Sequence, residues 1–452
     1  MNGGLSMVEM KSGYKMTEVG VIPEDWEVKE FNETFSVIPN NSLSRDYLNT
    51  HAGEYHDIHY GDVLIRYGAL LDAGNTEIPF INKAITDKWV NRRIVTEGDI
   101  IMADTAEDNT VGKCSEVINV NHKKIVSGLH TFWLHPNEGL FEKGFLGYFM
   151  NHSLYHNQLL PLIHGTKVSS VSKNEILGTR VLVPLKNEQT AIAAALSDVD
   201  SLISALTKKI EKKKAIKQGL MQQLLTGKKR LPGYEKNREP VQTEWGAIPK
   251  DWKTLSIGKC CSIKARIGWQ GLKKSEYLSS GEYVLVTGTD FLNGRIDWKS
   301  CVYVSKKRYE QDANIQIVKH DILITKDGTI GKVAFLDDVP CLGTLNSGIF
   351  VVRSHSEELD QCYLSKIFES FIFDAFLESL VAGSTINHLY QKDFVHFNFP
   401  VPPTMSEQTA IANILSDCDS EIAALEEKRD KYKEIKQGMM QQLLTGKIRL
   451  IK

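Results

Sequence analysis

The sequence predicts an α+β protein made of two copies of one unit, in which a globular mixed domain is followed by a long helix. Three paired segments show the duplication: TEVGVIPEDW (17–26) with TEWGAIPKDW (243–252), EQTAIAAALSD (188–198) with EQTAIANILSD (407–417), and KQGLMQQLLTG (217–227) with KQGMMQQLLTG (436–446). The copies are offset by 226, 219 and 219 residues, so each unit is about 220 residues long.

The interiors of the two copies match more loosely than their ends. GDIIMADTAEDNTVGK (98–113) corresponds to HDILITKDGTIGK (320–332), and GTKVSSVSKNEI (165–176) corresponds to GSTINHLYQKDF (383–394). Short strands are predicted at VKEF, DIIMA, TFWLH and TRVLVP, and helical stretches at about 138–162 and 357–381. Alike ends and unlike interiors indicate a common framework that carries two different recognition surfaces.

The segments that close each copy predict helices of about 39 residues with a heptad repeat. In the first helix the a and d positions are Ile192, Leu196, Val199, Ile203, Leu206, Ile210, Lys213, Lys217, Leu220 and Leu224. In the second they are Ile411, Leu415, Cys418, Ile422, Leu425, Arg429, Tyr432, Lys436, Met439 and Leu443. Eight of ten positions are apolar in each helix, which is typical of a coiled coil.

The ends and the interiors of these helices carry further signals. Asn187 and Ser406 are predicted N-caps, and Gly227 and Gly446 are predicted C-terminal stops. Glycine inside a helix costs about 1 kcal/mol relative to alanine, so the interior pair Gly219 and Gly438 predicts close approach of another helix. The lysines in the a and d positions predict that the packing there is not a dry two-helix contact.

The repeated pattern predicts that the two long helices pack on each other. A two-fold relation perpendicular to the rod would make them antiparallel, with a mixed domain at each end. A parallel pair with both domains on one side is the alternative that the sequence leaves open.

Composition excludes several classes of protein. The chain has 42% hydrophobic and 24% charged residues, as in soluble globular proteins. No apolar run reaches about 18 residues, so no transmembrane helix is expected, and the first sixteen residues contain no apolar signal-peptide core. The seven cysteines include no C-x-x-C pair. We therefore expect a reduced, cytoplasmic protein without a structural metal.

The sequence contains no recognisable catalytic motif. GTIGK (328–332) lacks the spacing of a phosphate-binding loop, so it is interpreted as a strand turn. PEDWEVK (23–29) has acidic and lysine residues, but its counterpart PKDWKTL (249–255) replaces Glu27 with Lys253 and Lys29 with Leu255. The residues that both copies share, Ile, Pro, Asp and Trp, indicate a strand start anchored by a buried aromatic ring. These observations favour a binding protein over an enzyme.

On these motifs, the sequence resembles the specificity (S) subunits of type I restriction–modification systems over nearly its whole length. The resemblance is carried by the paired IPxDW segments, the paired EQTAIAxxLSD helix starts, the paired KQGxMQQLLTG helix ends, and GTIGK. It implies a target-recognition domain at 1–186, a conserved helix at 187–230, a second target-recognition domain at 231–404 and a C-terminal conserved helix at 405–452.

The family resemblance also implies a function without catalysis. Each target-recognition domain is expected to read one half of a bipartite, asymmetric site in double-stranded DNA. The helices are expected to form an antiparallel spacer that recruits two modification (methyltransferase) subunits, which restriction (translocase and endonuclease) subunits then join. The chain is expected to hold no cofactor of its own, because S-adenosylmethionine, ATP and Mg belong to the partner subunits.

Candidate DNA-binding residues are polar or aromatic side chains on predicted loops, because base readout needs donors and acceptors. In the first domain they are Thr166, Lys167, Ser169, Ser170 and Lys173. In the second they are Arg266, Trp269, Gln270, Lys273 and Lys274 on one segment, and Ser384, Thr385, Asn387, His388, Gln391 and Lys392 on another. Gly219 and Gly438 are the candidate contacts with partner subunits.

Charge counts bear on whether the chain binds DNA alone. Residues 188–230 carry nine basic and four acidic side chains, and residues 407–452 carry eight of each. Since the whole chain is −2, the remainder is −7, which is unusually acidic for a DNA binder acting without partners. The alternative from another functional class is a coiled-coil scaffold that binds proteins and no nucleic acid, and a self-contained methyltransferase or nuclease ranks third.

Overall fold

The computed structural model describes residues 12–86, 93–165, 167–235, 239–381 and 388–450. Its contacts divide the chain into two compact units. The first comprises Met1–Thr207 and Glu427–Lys452, and the second comprises Lys208–Glu426. Each unit therefore contains one mixed domain, part of the first long helix and part of the second.

In the first unit the mixed domain is built on a five-stranded sheet and a four-stranded sheet. The five-stranded sheet has the order Phe35–Ile38, Thr131–Pro136, Ile100–Ala103, Cys114–Ile118, Leu70–Asp72. The four-stranded sheet has the order Lys124–Ser127, Tyr55–Ile58, Phe80–Ile81, Leu48–Asn49. Three two-stranded ladders join Tyr14–Thr17 with Gly20–Pro23, Glu27–Glu30 with Arg180–Val183, and Thr105–Ala106 with Ser169–Ser170.

In the second unit the same plan recurs with fewer strands. A four-stranded sheet has the order Cys261–Ala265, Ile349–Ser354, Ile322–Thr325, Val333–Phe335, and a three-stranded sheet has the order Val302–Val304, Tyr283–Val286, Leu342–Leu345. The two-stranded ladders join Pro240–Thr243 with Gly246–Pro249, Lys253–Ser256 with Asn398–Val401, and Phe291–Leu292 with Arg295–Ile296.

Both domains mix antiparallel ladders with parallel pairing, and they share one equivalent parallel pair, to which the first domain adds Leu70–Asp72 with Cys114–Ile118. Tyr55–Ile58 runs parallel to Lys124–Ser127, and Tyr283–Val286 runs parallel to Leu342–Leu345. Mixed pairing with short helices confirms the α+β class for each domain. The strands predicted at VKEF, DIIMA, TFWLH and TRVLVP are all present, within one or two residues.

Short helices cover the sheets in each domain. In the first they are Phe31–Thr34, Tyr60–Ile65, Lys83–Thr86, Phe145–Met150, Ser153–Leu159 and Lys173–Ile176, with 3₁₀ turns at Arg45–Tyr47 and Leu160–Leu162. In the second they are Ile257–Cys260, Lys306–Glu310, Gln361–Phe368, Phe371–Val381 and Gln391–Phe394, with 3₁₀ turns at Gly268–Gln270, Lys274–Glu276 and Ala313–Ile315.

The two long helices have the predicted length, 39 residues each, and span Lys186–Leu224 and Met405–Leu443. Each begins two residues earlier than the predicted caps require, so Asn187 and Ser406 lie in the first turn and are not the caps. In the second helix the hydroxyl of Thr404 accepts a hydrogen bond from the backbone N–H of Glu407 at 3.3 Å, which is the bond an N-cap makes.

The helix ends explain why the L-T-G and I-P-x-D-W motifs occur together. Gly227 and Gly446 both adopt φ of +66°, which favours glycine. A Cβ at Gly446 would lie 2.4 Å from the Pro23 ring, and one at Gly227 would lie 2.5 Å from the Pro249 ring. In each unit a helix therefore ends directly against the proline of an I-P-x-D-W segment. The tryptophans of these segments, Trp26 and Trp252, are buried as predicted.

None of the twenty a and d positions is exposed in the structure. The lysines among them are paired with carboxylates. Lys213 contacts Glu421 at 2.7 Å and Lys217 contacts Asp419 at 2.5 Å in the second unit, while Lys436 contacts Asp200 at 2.6 Å in the first. The pairs thus replace dry packing where the sequence places lysine.

The order of these pairs gives the direction of the helices inside each unit. In the second unit, positions 213 and 217 of the first helix face positions 421 and 419 of the second. In the first unit, position 200 of the first helix faces position 436 of the second, and position 188 faces residue 449, which follows the end of the second helix. Residue numbers rise on one helix as they fall on the other, so the two helical segments of each unit run antiparallel.

One described helix, Lys186–Leu224, is long and apolar enough over one stretch to pass a test for a membrane span. This finding does not by itself contradict the expectation of no transmembrane helix. The criterion is weak evidence here, because a long helix with apolar a and d positions satisfies it as well.

Candidate nucleic-acid interface

Two loops that are far apart in sequence are joined in the first domain. Thr105–Ala106 follows directly on the buried strand Ile100–Ala103 and pairs antiparallel with Ser169–Ser170. The backbone N–H of Val171 donates to the carbonyl of Asp104 at 3.0 Å, and the Val171 side chain is buried. The segment that the sequence singled out at 165–176 is therefore held against the loop that follows the central strand.

The second domain joins its corresponding loops with the same backbone bond. Asp327 and His388 form an isolated antiparallel bridge, and the N–H of Leu389 donates to the carbonyl of Lys326 at 2.8 Å. Leu389 is buried, like Val171. The imidazole of His388 also contacts the carboxylate of Asp327 directly, and its ring centre lies 4.5 Å from that of Tyr390 with the two planes tilted by 54°.

The side chains at these equivalent backbone positions differ between the two domains. Where the first domain presents the hydroxyls of Thr105 and Ser170, the second presents the charged and aromatic pair Asp327 and His388. We call these two places the paired loops. One backbone geometry with two side-chain sets is what two readers of unlike half-sites require.

Most of the candidate residues of the first domain lie at or beside the paired loops. Lys167 and Ser170 are exposed, Ser169 is half-buried in the ladder, and Lys173 is exposed on the helix that follows. Thr166 lies outside the described residues. The loop that contains Ser169 and Ser170 is also held by contacts between its own ends. His164 contacts Glu175 at 2.5 Å, and the Glu175 carboxylate accepts a hydrogen bond from the Ser172 backbone N–H at 2.7 Å.

In the second domain the described candidates near the loops are His388, Gln391 and Lys392. Gln391 and Lys392 are exposed in the short helix after the bridge, and the Lys392 ammonium lies 5.5 Å from the centre of the Tyr390 ring. A cation over an exposed aromatic ring provides both charge and a stacking face for a base. Ser384, Thr385 and Asn387 lie outside the described residues.

The other candidate segment of the second domain divides into buried and exposed residues. Arg266 is 2% exposed, and its guanidinium donates to the Leu345 carbonyl at 2.8 Å and to the Thr344 hydroxyl at 3.0 Å. Gln270 is also buried. Trp269 belongs to the 3₁₀ turn Gly268–Gln270, and Lys273 and Lys274 are exposed just after it. The burial of Arg266 indicates a structural role, whereas the two lysines are free to meet a phosphate backbone.

The interior helix glycines lie in open space. A Cβ at Gly219 or at Gly438 would meet no atom within 4 Å among the residues that the structure describes. Ile216 and Ile435, one turn earlier at equivalent positions, are 44% and 41% exposed. Both helices thus present the same pair of an exposed isoleucine and an uncovered glycine, so neither glycine is explained by packing within the described chain.

In each domain the loop after the central strand contributes one residue to the paired loops, and these two residues were not identified from the sequence. Thr105 and Asp327 are not among the candidate residues, although they are the register partners of Ser170 and His388. The signal that could have found them is the alignment of the two copies, where these positions differ while the flanking strand and glycine agree. GTIGK itself is the predicted strand turn, and the Thr325 hydroxyl accepts from the Lys332 N–H at 2.9 Å.

Comparison with known proteins agrees with this geometry. The model of the type I restriction modification DNA specificity domain matches residues 23–218 and again residues 249–437. The MjaVIII type I restriction enzyme specificity subunit of Methanocaldococcus jannaschii is 25% identical over 449 residues, which covers 95% of this chain and 94% of the relative. The MjaX specificity subunit of the same organism is 26% identical over 443 residues and 97% of each chain.

More distant similarities cover one half of the chain or the fold alone. The EcoKI specificity subunit of Escherichia coli is 22% identical over 211 residues, or 45% of this chain and 44% of the relative. The crystal structure of a type I restriction–modification S subunit from M. genitalium has a TM-score of 0.57 at 13% identity, covering 92% of this chain and 96% of that one. The chain therefore belongs to the family of type I restriction–modification DNA specificity domains.

Proposed function

We propose that the chain is the DNA-specificity subunit of a type I restriction–modification complex, and that each mixed domain reads one half of a bipartite target in double-stranded DNA. The observation that carries this proposal is the paired loops, which combine one backbone geometry with two unlike sets of exposed or half-buried polar side chains. Family membership does not favour the alternative of a protein-binding scaffold without nucleic acid.

The proposal assigns the long helices to spacing and assembly. They would form an antiparallel coiled coil that relates the two copies by a pseudo-two-fold axis and recruits two modification subunits, with restriction subunits joining the complex. Methyl transfer and cleavage would take place in those partners, so S-adenosylmethionine, ATP and Mg would bind there and the chain would need no cofactor. We place the complex in the cytoplasm, where its DNA substrate is found.

The first prediction tests whether the two domains read independently. Replacing residues 27–183 with the corresponding segment of a relative is expected to change one half of the methylated target and leave the other half intact. Glu27 and Val183 are register partners in one antiparallel ladder, so both junctions of the graft fall on adjacent strands. Methylome mapping of cells that carry the complex measures the outcome.

The matched control exchanges residues 253–401, whose ends Lys253 and Val401 are register partners in the equivalent ladder. This exchange should alter only the other half of the target. If either graft changed both halves, the model of two independent readers would be wrong.

The second prediction concerns the recruitment of modification subunits. Gly219→Leu combined with Gly438→Leu is expected to abolish co-purification of the modification subunit, because a bulky side chain would occupy the surface that the partner helix approaches. Folding should survive, since the new side chains point into space that no described residue fills.

The control for this variant is Gly219→Ala with Gly438→Ala. Alanine should stabilise each helix by about 1 kcal/mol relative to glycine while adding only a methyl group. A circular-dichroism melt therefore separates loss of folding from loss of docking. Full recruitment by the leucine variant would remove these glycines from the partner interface.

A further inference from the structure

Arg353 and Arg45 are each paired with a buried aspartate, and they differ in how many of their N–H donors are engaged. In the second domain, Arg353 donates to both oxygens of Asp321 and to the carbonyls of Asn314 and Gln316. All three nitrogens of that guanidinium therefore donate to groups of the second domain itself. In the first domain, Arg45 has fewer contacts, and its side chain is 52% exposed.

The contacts of Arg45 hold it in place without covering it. One terminal nitrogen lies 3.3 Å from Asp62 Oδ1 and the other lies 3.2 Å from Asp62 Oδ2, and the Asp62 side chain is 2% exposed. The second nitrogen is also 3.4 Å from Nδ1 of His59. Among the described residues Nε of Arg45 has no acceptor, so donors remain that face solvent.

His59 and Gly61 lie next to the guanidinium of Arg45 and fix its position. The Nδ1 atom of His59 accepts from the Gly61 backbone at 3.3 Å as the N-cap of the helix Tyr60–Ile65, which sets its tautomer as an acceptor toward Arg45. A Cβ at Gly61 would lie 3.2 Å from the Arg45 guanidinium. The arginine is thus held against a short helix by a carboxylate and an imidazole, which is how a positioned recognition side chain is supported.

The local charge remains positive. Asp62 also contacts Arg66 at 3.4 Å, so one carboxylate is shared between two guanidinium groups. The neighbouring Asp57 adds only about half a negative charge at pH 7, because burial raises the pKa of its carboxyl to about 7. The surface around Arg45 therefore suits an acceptor-rich ligand.

Arg45 is continuous with the paired loops of the first domain. The ring of Tyr60, next to His59, packs edge-on against His130 at 5.4 Å, and His130 lies 3.3 Å from the carboxylate of Asp104. Asp104 is the residue whose carbonyl ties the two loops together. A chain of contacts through His59, Tyr60 and His130 thus connects the exposed guanidinium with the paired loops.

The second domain keeps the buried carboxylate at this position and uses it differently. Asp290 follows the strand Tyr283–Val286, as Asp62 follows Tyr55–Ile58, and it accepts from the Thr287 N–H at 2.7 Å and the Ser300 hydroxyl at 3.2 Å. No arginine is among the described partners of Asp290. The arginine is therefore a property of one reader and not of the shared framework.

From these contacts we propose that Arg45 reads a base edge in the half-site bound by the first domain, with Asp62 as its positioning residue. Guanine is the expected base, because its O6 and N7 atoms are the commonest acceptors for arginine in the major groove. This inference rests on the proposed function of the first domain, and it adds a named specificity-determining residue to it.

The test uses the full chain in complex with its modification subunits, once methylome mapping has given the wild-type target. Binding is measured on duplexes in which each base pair of the target is varied singly. Arg45→Ala is expected to weaken cognate binding about 10–100-fold and to make one base pair of the first half-site indifferent. Arg45→Lys keeps the charge and should not restore discrimination, and Asp62→Asn should weaken discrimination at that same base pair.

Arg353→Ala is the matched control, since it removes an aspartate-paired arginine whose three guanidinium nitrogens all donate to groups of its own domain, and it should leave base preference unchanged. Two outcomes would overturn the inference: unchanged discrimination at every first-half position in Arg45→Ala, or a uniform loss across all sequences with a salt slope smaller by about one, which marks a phosphate contact. Failure of the wild-type complex to prefer any sequence would instead refute the proposed function.

Discussion

Arg230→Ala is expected to lower the free energy of unfolding of the second unit by about 3–5 kcal/mol, which is the cost of leaving a buried charge without its partner. Arg230 donates to both oxygens of Glu407, at 2.5 and 2.7 Å, and to both oxygens of Asp251, each at 3.1 Å. The side chains of Arg230 and Glu407 are only 7% and 1% exposed. The pair joins the segment after the first long helix to the start of the second.

The first unit provides an internal comparison for this prediction. Arg449 binds both oxygens of Glu188 and both oxygens of Asp25, and Glu188 also accepts from the Trp26 indole N–H at 2.8 Å. After Arg449→Ala, Glu188 would keep this bond, and the 27% exposure of Arg449 shows that water reaches the site. Arg449→Ala should therefore lower the free energy of unfolding by about 1 kcal/mol less than Arg230→Ala does.

Urea denaturation combined with hydrogen exchange assigns each loss to its unit. Adding Glu407→Gln to Arg230→Ala should recover part of the stability, because the unpaired buried charge is then removed. If Arg230→Ala were no more destabilising than a substitution of an exposed lysine, the ion pairs would not be what holds the helix starts in place.

The parts of the fold that were predictable from sequence are those with local periodicity or a repeated motif. Heptad spacing located both long helices, and the repetition of I-P-x-D-W located the start of each domain. The contact of Gly446 with Pro23, 423 residues earlier, gives the reason that the two motifs recur together. No local sequence pattern predicts this contact, because it joins the helix of one copy to the strand of the other copy.

Predictions of individual binding residues were harder because exposure depends on distant partners. Arg266 stands in a basic segment beside Trp269, which suggested a surface role, yet its acceptor on Leu345 lies 79 residues away in sequence and buries it. Thr105 was passed over because its ladder partner, Ser170, is equally remote. Arg45 belongs to no sequence motif, and what distinguishes it is that its guanidinium contacts both the buried Asp62 and the imidazole of His59.

Lengthening both long helices by one heptad, near residues 206 and 425, is expected to change the spacer of the target or to abolish specific binding. Seven residues add about 10 Å to a helix, which is close to three base pairs at about 3.4 Å each. Those three pairs also rotate one half-site by roughly 100° about the duplex, at about 10.5 pairs per turn. Domains that follow the rotation would accept a longer spacer, and domains that do not would lose the site.

The insertion points suit the experiment because contacts divide the chain there. The units separate between Thr207 and Lys208 and between Glu426 and Glu427, so each unit keeps its own ion pairs, such as Lys213 with Glu421 and Asp200 with Lys436. Inserting the heptad into one helix only is the control, since it shifts the pairing between helices and should unfold them. Methylation of the original target with its original spacer at full efficiency, by the variant extended in both helices, would show that the helices do not set the distance between half-sites.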